Sequence, residues 1–451
     1  MIGDVRAGDD AVPARTGALE SHDAYDTIRR EVLRSIERRR LRPDRDLGEV
    51  RSEAERSVHE YQHRAQFGET RRLADPAAVV ERIVRSIADL GPLTDLLARP
   101  DVEEIFIDGA RIAYLDGDGR LRGLAEPTNE DENRRVIDRL LAPSDRQLSA
   151  QYPLVQARVL DGGARLTAAI PPVADRLSVT LRRYVVRHVA LDGLVRRESL
   201  TAPAAAFLGA LMQMRSRVVV SGEPGAGKTT LLAALLAATP AHHCIRCCEE
   251  IRELSVPFPH GAYYEVRPPG LDGGGAIDLR ALVRFTLAMR PDRIVVGEVR
   301  GGEAFELTRA MNAGCGFCCT VHANGAVDAL DALVNAALMA GENVTERVVR
   351  KVFSEALDIV VHVDRDDGRA APGAGDTSAS SVRRQITEIV AVAPSLGDGF
   401  TCEPLFVREG LGRPLVWTGA VPARLESRID RAAGRPNALR ALLGADSGGG
   451  T

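Results

Sequence analysis

Nine consecutive residues, Gly222-Glu223-Pro224-Gly225-Ala226-Gly227-Lys228-Thr229-Thr230, carry the most specific chemistry in the chain. They fit the spacing G-x-x-x-x-G-K-[ST] of a loop that cradles phosphates. Glycines at these positions let backbone N–H groups curl around a β-phosphate, and a helix beginning at Lys228 adds partial positive charge at the same point. Lys228 then reaches the β- and γ-phosphates, and the Thr229 hydroxyl ligates Mg²⁺. The ligands so expected are ATP and Mg²⁺. A glycine-rich turn that fits by chance is the bland alternative, and the flanking sequence argues against it. Val218-Val219-Val220-Ser221 before the loop reads as a buried strand, and Leu231-Leu232-Ala233-Ala234-Leu235-Leu236 after it reads as a helix.

Three further polar groups follow apolar runs. Arg290-Pro291-Asp292 leads into Arg293-Ile294-Val295-Val296-Gly297-Glu298, a buried strand ending in a carboxylate. Gly297 stands where such strands usually carry an aspartate, so Glu298 is expected to serve the magnesium alone, through its waters. Ile245–Cys248 ends in Glu249, Glu250 and, one turn on, Glu253; one of the three can polarise an attacking water. Thr320-Val321-His322-Ala323-Asn324 ends another strand. His322 there reads either as a sensor of the γ-phosphate or as a structural histidine with its hydrogen bonds satisfied.

These chemical groups need a scaffold of more than one core, because 451 residues exceed an ordinary single domain. Residues 1–20, poor in bulky side chains, read as disordered. A helical segment follows over 21–75, with Tyr25, Ile28, Val32 and Ile36 as its apolar stripe and a run of arginines read as a solvated face. Residues 76–190 read as a small α+β domain: a helix with the stripe Val79, Val80, Ile83, Ile87 and Leu90, then short strands around a helix at 130–141. Over 191–420 strands and helices alternate, which argues for a parallel sheet, with a loose Gly/Ala/Asp/Ser loop at 364–381. Residues 421–451 read as a C-terminal tail.

Composition closes off other classes. The net charge of −4 gives no basic field, so direct nucleic-acid binding is not expected. No apolar run approaches the roughly 18 residues of a membrane span, and the acidic first twenty residues do not read as a signal peptide. Cys244-x-x-Cys247-Cys248 and Cys315-x-x-Cys318-Cys319 imitate a four-thiolate zinc site. Adjacent strand residues point to opposite faces, however, so these thiols are expected to be small core residues.

The four polar motifs, in this order, resemble the ATPases of the type II/type IV secretion superfamily over roughly residues 75–365. Glu249-Glu250-Ile251-Arg252-Glu253-Leu254 looks like the family's acidic box, Arg290–Arg300 like its atypical second nucleotide motif, and Thr320–Asn324 like its histidine box. Gly91-Pro92-Leu93, Asp161–Arg165 and Ile170-Pro171-Pro172 resemble the Tad/CpaF branch in particular. A glycine-histidine pair frequent in relatives is replaced here by Gly314-Cys315-Gly316-Phe317. The resemblance implies a RecA-like α/β domain preceded by the small α+β domain, ATP hydrolysis, Glu249 as base, and a homo-hexameric ring. It also implies that Arg165 and Arg182 of the small domain, and Arg267 and Arg280 between the acidic motifs, meet the nucleotide.

The expected role is therefore an ATP-driven motor at the cytoplasmic face of the cell membrane, acting on an inner-membrane platform protein of a pilus or secretion system. A conjugation-type secretion ATPase and a nucleotide-regulated switch without sustained turnover are the rivals. The acidic motifs argue against the switch, because binding alone needs no general base.

Overall fold

In the computed structural model the described residues are 12–116, 120–144, 146–184, 189–270, 273–366, 383–394 and 399–444. The chain divides into two compact units, residues 1–185 and 186–451.

The first unit opens with three helices, α1 (Val12–Arg39), α2 (Leu47–Gln66) and α3 (Pro76–Ala88). Their apolar stripes meet. Tyr25, Ile28, Val32 and Ile36 pack with Val50, Ala54 and Val58 and with Val80, Ile83 and Ile87. α1 begins at Val12, inside the stretch expected to be disordered, while residues 1–11 lie outside the described residues. The arginine face is not uniformly solvated either. Arg29 is 3% exposed, and its Nε donates to Ser86 Oγ at 2.5 Å, locking α1 onto α3.

Next come α4 (Leu93–Ala98), β1 (Glu104–Asp108), β2 (Arg111–Leu115), β3 (Leu121–Gly123), α5 (Glu130–Leu141), β4 (Leu154–Val159), β5 (Ala164–Ala169) and β6 (Ser178–Arg183). The six strands form an antiparallel sheet in the order β3-β2-β1-β6-β5-β4. Its alternation is that of a sheet with one covered face. Ile105, Ile107, Leu166 and Leu181 join Val136, Ile137 and Leu140 of α5 in one core, while Glu104, Arg165 and Arg182 take the other face.

The second unit contains α6 (Leu191–Arg196), α7 (Ala202–Met212), β7 (Arg217–Gly222), α8 (Lys228–Ala237), β8 (Ile245–Glu249), β9 (Gly261–Glu265), α9 (Leu279–Leu287) and β10 (Arg293–Val299). It continues with α10 (Glu303–Asn312), β11 (Gly316–Val321), α11 (Ala326–Leu338), α12 (Glu346–Ala356), β12 (Ile359–Asp366), β13 (Arg383–Ala393), β14 (Thr401–Val407), β15 (Val416–Trp417), α13 (Ala423–Ala433) and α14 (Ala438–Leu443). One nine-stranded sheet runs β15-β14-β13-β12-β7-β11-β10-β8-β9. The six strands from β12 to β9 are parallel, and β13, β14 and β15 extend the edge antiparallel. The phosphate-loop strand β7 is central and is separated from the carboxylate strand β10 by β11, the RecA-like arrangement.

Both faces of this sheet are covered, so its strands read as near-continuous apolar runs rather than alternating ones. Val218 and Val220 enter the core on one side with Val295, and Val219 enters the other with Ile294 and Val296. The thiols follow the same rule. Cys247 and Cys318 lie in the first core, Cys248 and Cys319 in the second. Thiols split across a sheet cannot converge on one tetrahedral centre, and burial pushes each of the four up from its ordinary value.

Two boundaries differ from expectation. The expected loose loop at 364–381 begins later, because β12 runs to Asp366, and residues 367–382 lie outside the described residues. The expected C-terminal tail is instead α13 and α14. Leu425, Ile429, Leu439 and Leu443 bury there, and Arg424 and Arg428 reach the fully buried Asp358 carboxylate. Residues 445–451 lie outside the described residues.

Candidate nucleotide site

The loop after β7 is fixed from the β12 side of its strand. Ser221 Oγ lies 2.9 Å from His362 Nδ1 on the neighbouring strand β12, and both are buried. His362 Nε2 lies 3.2 Å from Asp364 Oδ1, and Thr387 donates to the other oxygen of Asp364 at 2.7 Å. Arg384 on β13 donates its Nε to the Gly225 carbonyl at 3.0 Å, holding the middle of the loop. Gly227 then turns the chain into α8 with φ 97°, a conformation that a side chain disfavours. The helix starts at Lys228 with its first amide groups facing the loop.

Lys228 is 8% exposed, and its Nζ donates to the Gly222 and Glu223 carbonyls, each at 3.0 Å. It also donates to His322 Nδ1 at 3.1 Å. Burial and then the Lys228 charge depress the His322 pKa, which keeps the imidazole neutral and able to accept at Nδ1. His322 Nε2 contacts Glu298 Oε1. Glu298 Oε2 accepts from Arg300 at 2.6 Å, and Arg300 continues to Glu250 Oε2 at 3.1 Å. One polar chain thus links the loop lysine, the histidine box, the end of β10 and the acidic box.

Glu249 and Glu253 sit differently. Glu249 ends β8 and is 3% exposed. Its Oε1 accepts from the Glu253 and Leu254 amides at 3.0 and 3.1 Å, and its Oε2 is buried with no hydrogen-bond partner. Burial pushes its pKa up to about 7. Glu253 Oε2 accepts from Thr229 Oγ1 at 3.4 Å, so the loop hydroxyl and the acidic box meet.

This donor set fits a magnesium–polyphosphate. An ammonium, a helix N-terminus and backbone amides face the phosphate position, and a hydroxyl with two nearby carboxylates supplies hard oxygens. Mg²⁺ keeps most of its waters and asks only one or two carboxylates of a protein. Among the described residues no cluster of three or more His, Cys, Asp or Glu could form a closed metal cage.

The loop residues Gly222 to Thr230 therefore gather with Glu249, Glu298 and His322 at one end of the parallel sheet. Of the predicted arginines, the two in the second unit have other surroundings. Arg280 is instead held by Glu306 at 2.9 Å, by the Ala340 carbonyl at 2.9 Å and by Glu342. Its fully buried partner Glu306 needs a cation, which explains why α9 carries one there. The Arg267 backbone pairs with Ile277 and its side chain is exposed. Arg165 and Arg182 lie opposite one another on β5 and β6 of the first unit. Sequence reading missed Arg300 and Arg384. Arg300 stands two residues beyond Glu298, a usable signal. Arg384 is 159 residues from Gly225 and gives none.

Comparison with known proteins finds relatives of this chain. The family described as type II/IV secretion system protein matches residues 104–398. A Mycobacterium tuberculosis protein named "Putative conjugal transfer protein" is 34% identical over 295 residues, covering 61% of this chain and 80% of its own. The type IV secretion system protein PtlH of Bordetella pertussis is 29% identical over 306 residues, covering 61% and 89%. Among solved structures, the pilus retraction motor PilT with bound ADP aligns over 76% of this chain and 88% of its own, with 17% identity and a TM-score of 0.46. With the family matched across most of the small domain and the nucleotide domain, this chain belongs to the type II/IV secretion system protein family.

Proposed function

We propose that the protein is an ATP-hydrolysing motor that powers a secretion or pilus-assembly machine. The observation that carries this reading is the chain from Lys228 through His322 to Glu298, beside the buried carboxylate of Glu249. Binding a nucleotide requires the first part alone. A carboxyl whose pKa lies near 7, on the strand end beside a phosphate loop, suits a general base.

Lys228 and the amides of α8 hold the β- and γ-phosphates. Thr229 and, through water, Glu298 would hold a magnesium ion, which would supply charge neutralisation at the transferring phosphoryl group. Glu249 takes a proton from the attacking water, at the oxygen the protein leaves unpaired. His322 reports the γ-phosphate to Glu298, because any movement of Lys228 toward phosphate breaks its bond to Nδ1.

The Tad/Flp-type pilus role rests on the branch resemblance of Gly91-Pro92-Leu93, Asp161–Arg165 and Ile170-Pro171-Pro172. It implies a hexameric ring on the inner face of the membrane, docked on a platform protein. The names of the relatives favour a second reading, a conjugation-type secretion ATPase. Deleting the gene separates the two: pili are lost in the first, DNA transfer in the second. The shared core of both readings is tested with Lys228→Ala, expected to abolish turnover and weaken ATP binding. Turnover within twofold of wild type would sink it.

A further inference from the structure

The glycine before Glu298 is a departure from the usual aspartate that the proposed mechanism leaves unexplained. Its surroundings explain it. A Cβ built on Gly297 would lie 2.7 Å from Glu249 Cγ, 3.1 Å from its Oε1 and 3.3 Å from its Cδ. Those distances are inside van der Waals contact, and the neighbour cannot swing aside. Glu249 is 3% exposed, and its Oε1 is pinned by two backbone amides. The Cγ is the middle of the side chain, not a free end.

A second observation converges on the same residue. β10 pairs with β11 in regular parallel register up to Val296↔Cys319, then slips, resuming at Val299↔Val321. The irregularity falls on Gly297 and Glu298, and such bulges are rare between parallel strands and tend to re-aim side chains next to active sites. Thr320 Oγ1 donates to the Gly297 carbonyl at 2.6 Å, fixing the bulged peptide from the β11 side. Gly297 is thus pinned by Thr320 on one side and overlaid by Glu249 on the other.

We infer that Gly297 is a positioning residue: its missing side chain forms the slot in which Glu249 lies, so aspartate is excluded there because the base occupies its space. The inference rests on the reading of Glu249 as the base. It adds that the two acidic motifs are sterically interlocked. The carboxylate of the acidic box takes the volume that the second motif gives up, while the bulge turns Glu298 toward His322.

The test is a double-mutant cycle on the full chain, reading kcat, KM for MgATP, binding of a fluorescent ATP analogue and melting temperature. Gly297→Ala is expected to lower kcat at least tenfold, with KM and analogue binding within about twofold of wild type. Gly297→Asp, which restores the usual residue, is expected to lose more activity, not regain it. Glu249→Ala empties the slot, so adding Gly297→Ala to it is expected to cost nothing further in melting temperature, the readout that survives loss of the base. That double variant also remains informative if Gly297→Ala alone fails to fold. Wild-type kcat in Gly297→Ala or Gly297→Asp overturns the inference. So does an additive loss of melting temperature in the double variant, which would mean that Gly297 acts independently of Glu249. Full turnover in Glu249→Ala alone is a separate result: it removes the base reading and the inference with it.

Discussion

On the proposed function, the Glu249 carboxyl serves chemistry at the expense of stability. Its pKa is raised from 4.5 to about 7, chiefly by burial. As a base it works only when ionised, so turnover should rise as pH climbs through about 7. The effect on folding has the opposite sign. Between about pH 4.5 and 7 the folded state holds a proton that the unfolded state has released, so stability falls as pH rises across that window. The full cost is on the order of 3 kcal/mol at 1.36 kcal/mol per unit. Glu249→Gln removes that cost. The amide oxygen keeps both backbone bonds, and the NH₂ group replaces the unpartnered Oε2. The variant should bind ATP, fail to turn it over and melt higher than wild type at pH 8, with the gap closing by pH 5. A lower melting temperature than wild type at pH 8 would mean that the ionised carboxylate is stabilised by something other than the contacts described.

At the scale of elements, the C-terminal helices change the account of the second unit. α13 and α14 bury Leu425, Ile429, Leu439 and Leu443 against the core that also holds Val218 and Val220 of the phosphate-loop strand. Asp358, fully buried, accepts from the Arg217 amide at 2.9 Å at the start of β7 and takes Arg424 and Arg428 from α13. Each apolar side chain contributes about 1.5–3 kcal/mol on burial. Ending the chain at residue 421 should therefore lower the melting temperature by well over 10 °C, or yield insoluble protein. A truncated protein that melts like the full chain would show the helices to be dispensable. Their absence from the sequence reading has a physical cause. Gly434, Pro436 and the Ala/Gly-rich end look like loop composition, and the apolar positions that anchor them are too few to form a long period. The phosphate loop, β10 with Glu298 and β11 with His322 were legible because each motif lies within ten residues of its own strand. What spacing could not reveal is what folding brings together from afar. Arg384 on the Gly225 carbonyl, Ser221 on His362 and Glu249 over Gly297 join segments 48 to 159 residues apart. Arg280 failed for the reverse reason: a cation at a plausible position was already committed to Glu306 and Glu342.

At the scale of the whole molecule, the first unit carries a charged row that bears on the proposed hydrolysis. Arg158, Arg165 and Arg182 stand directly opposite one another across β4, β5 and β6. Like charges in direct cross-strand register are unfavourable. Glu104 lies 3.5 Å from Arg182 on the adjoining strand and offsets part of that cost. A row of guanidinium groups on one face of a sheet is the geometry for a multiply charged anion, which each can grip bidentately. On the role that the family resemblance implies for Arg165 and Arg182, they would meet the γ-phosphate of a nucleotide held by Lys228. The alternative is an ordinary charged surface. The two differ in magnitude. An exposed ion pair contributes under about 1 kcal/mol, so on that view Arg165→Ala changes melting slightly and turnover not at all. A guanidinium on the transferring phosphoryl group is worth about 10³–10⁵ in rate. Arg165→Ala should then reduce turnover by at least about a hundredfold, allowing for partial cover by Arg158 and Arg182, while melting stays within a few degrees. Arg165→Lys should not restore it, because a single ammonium cannot make the paired contact. Wild-type turnover in Arg165→Ala would leave the row as surface charge and confine the catalytic machinery to the second unit.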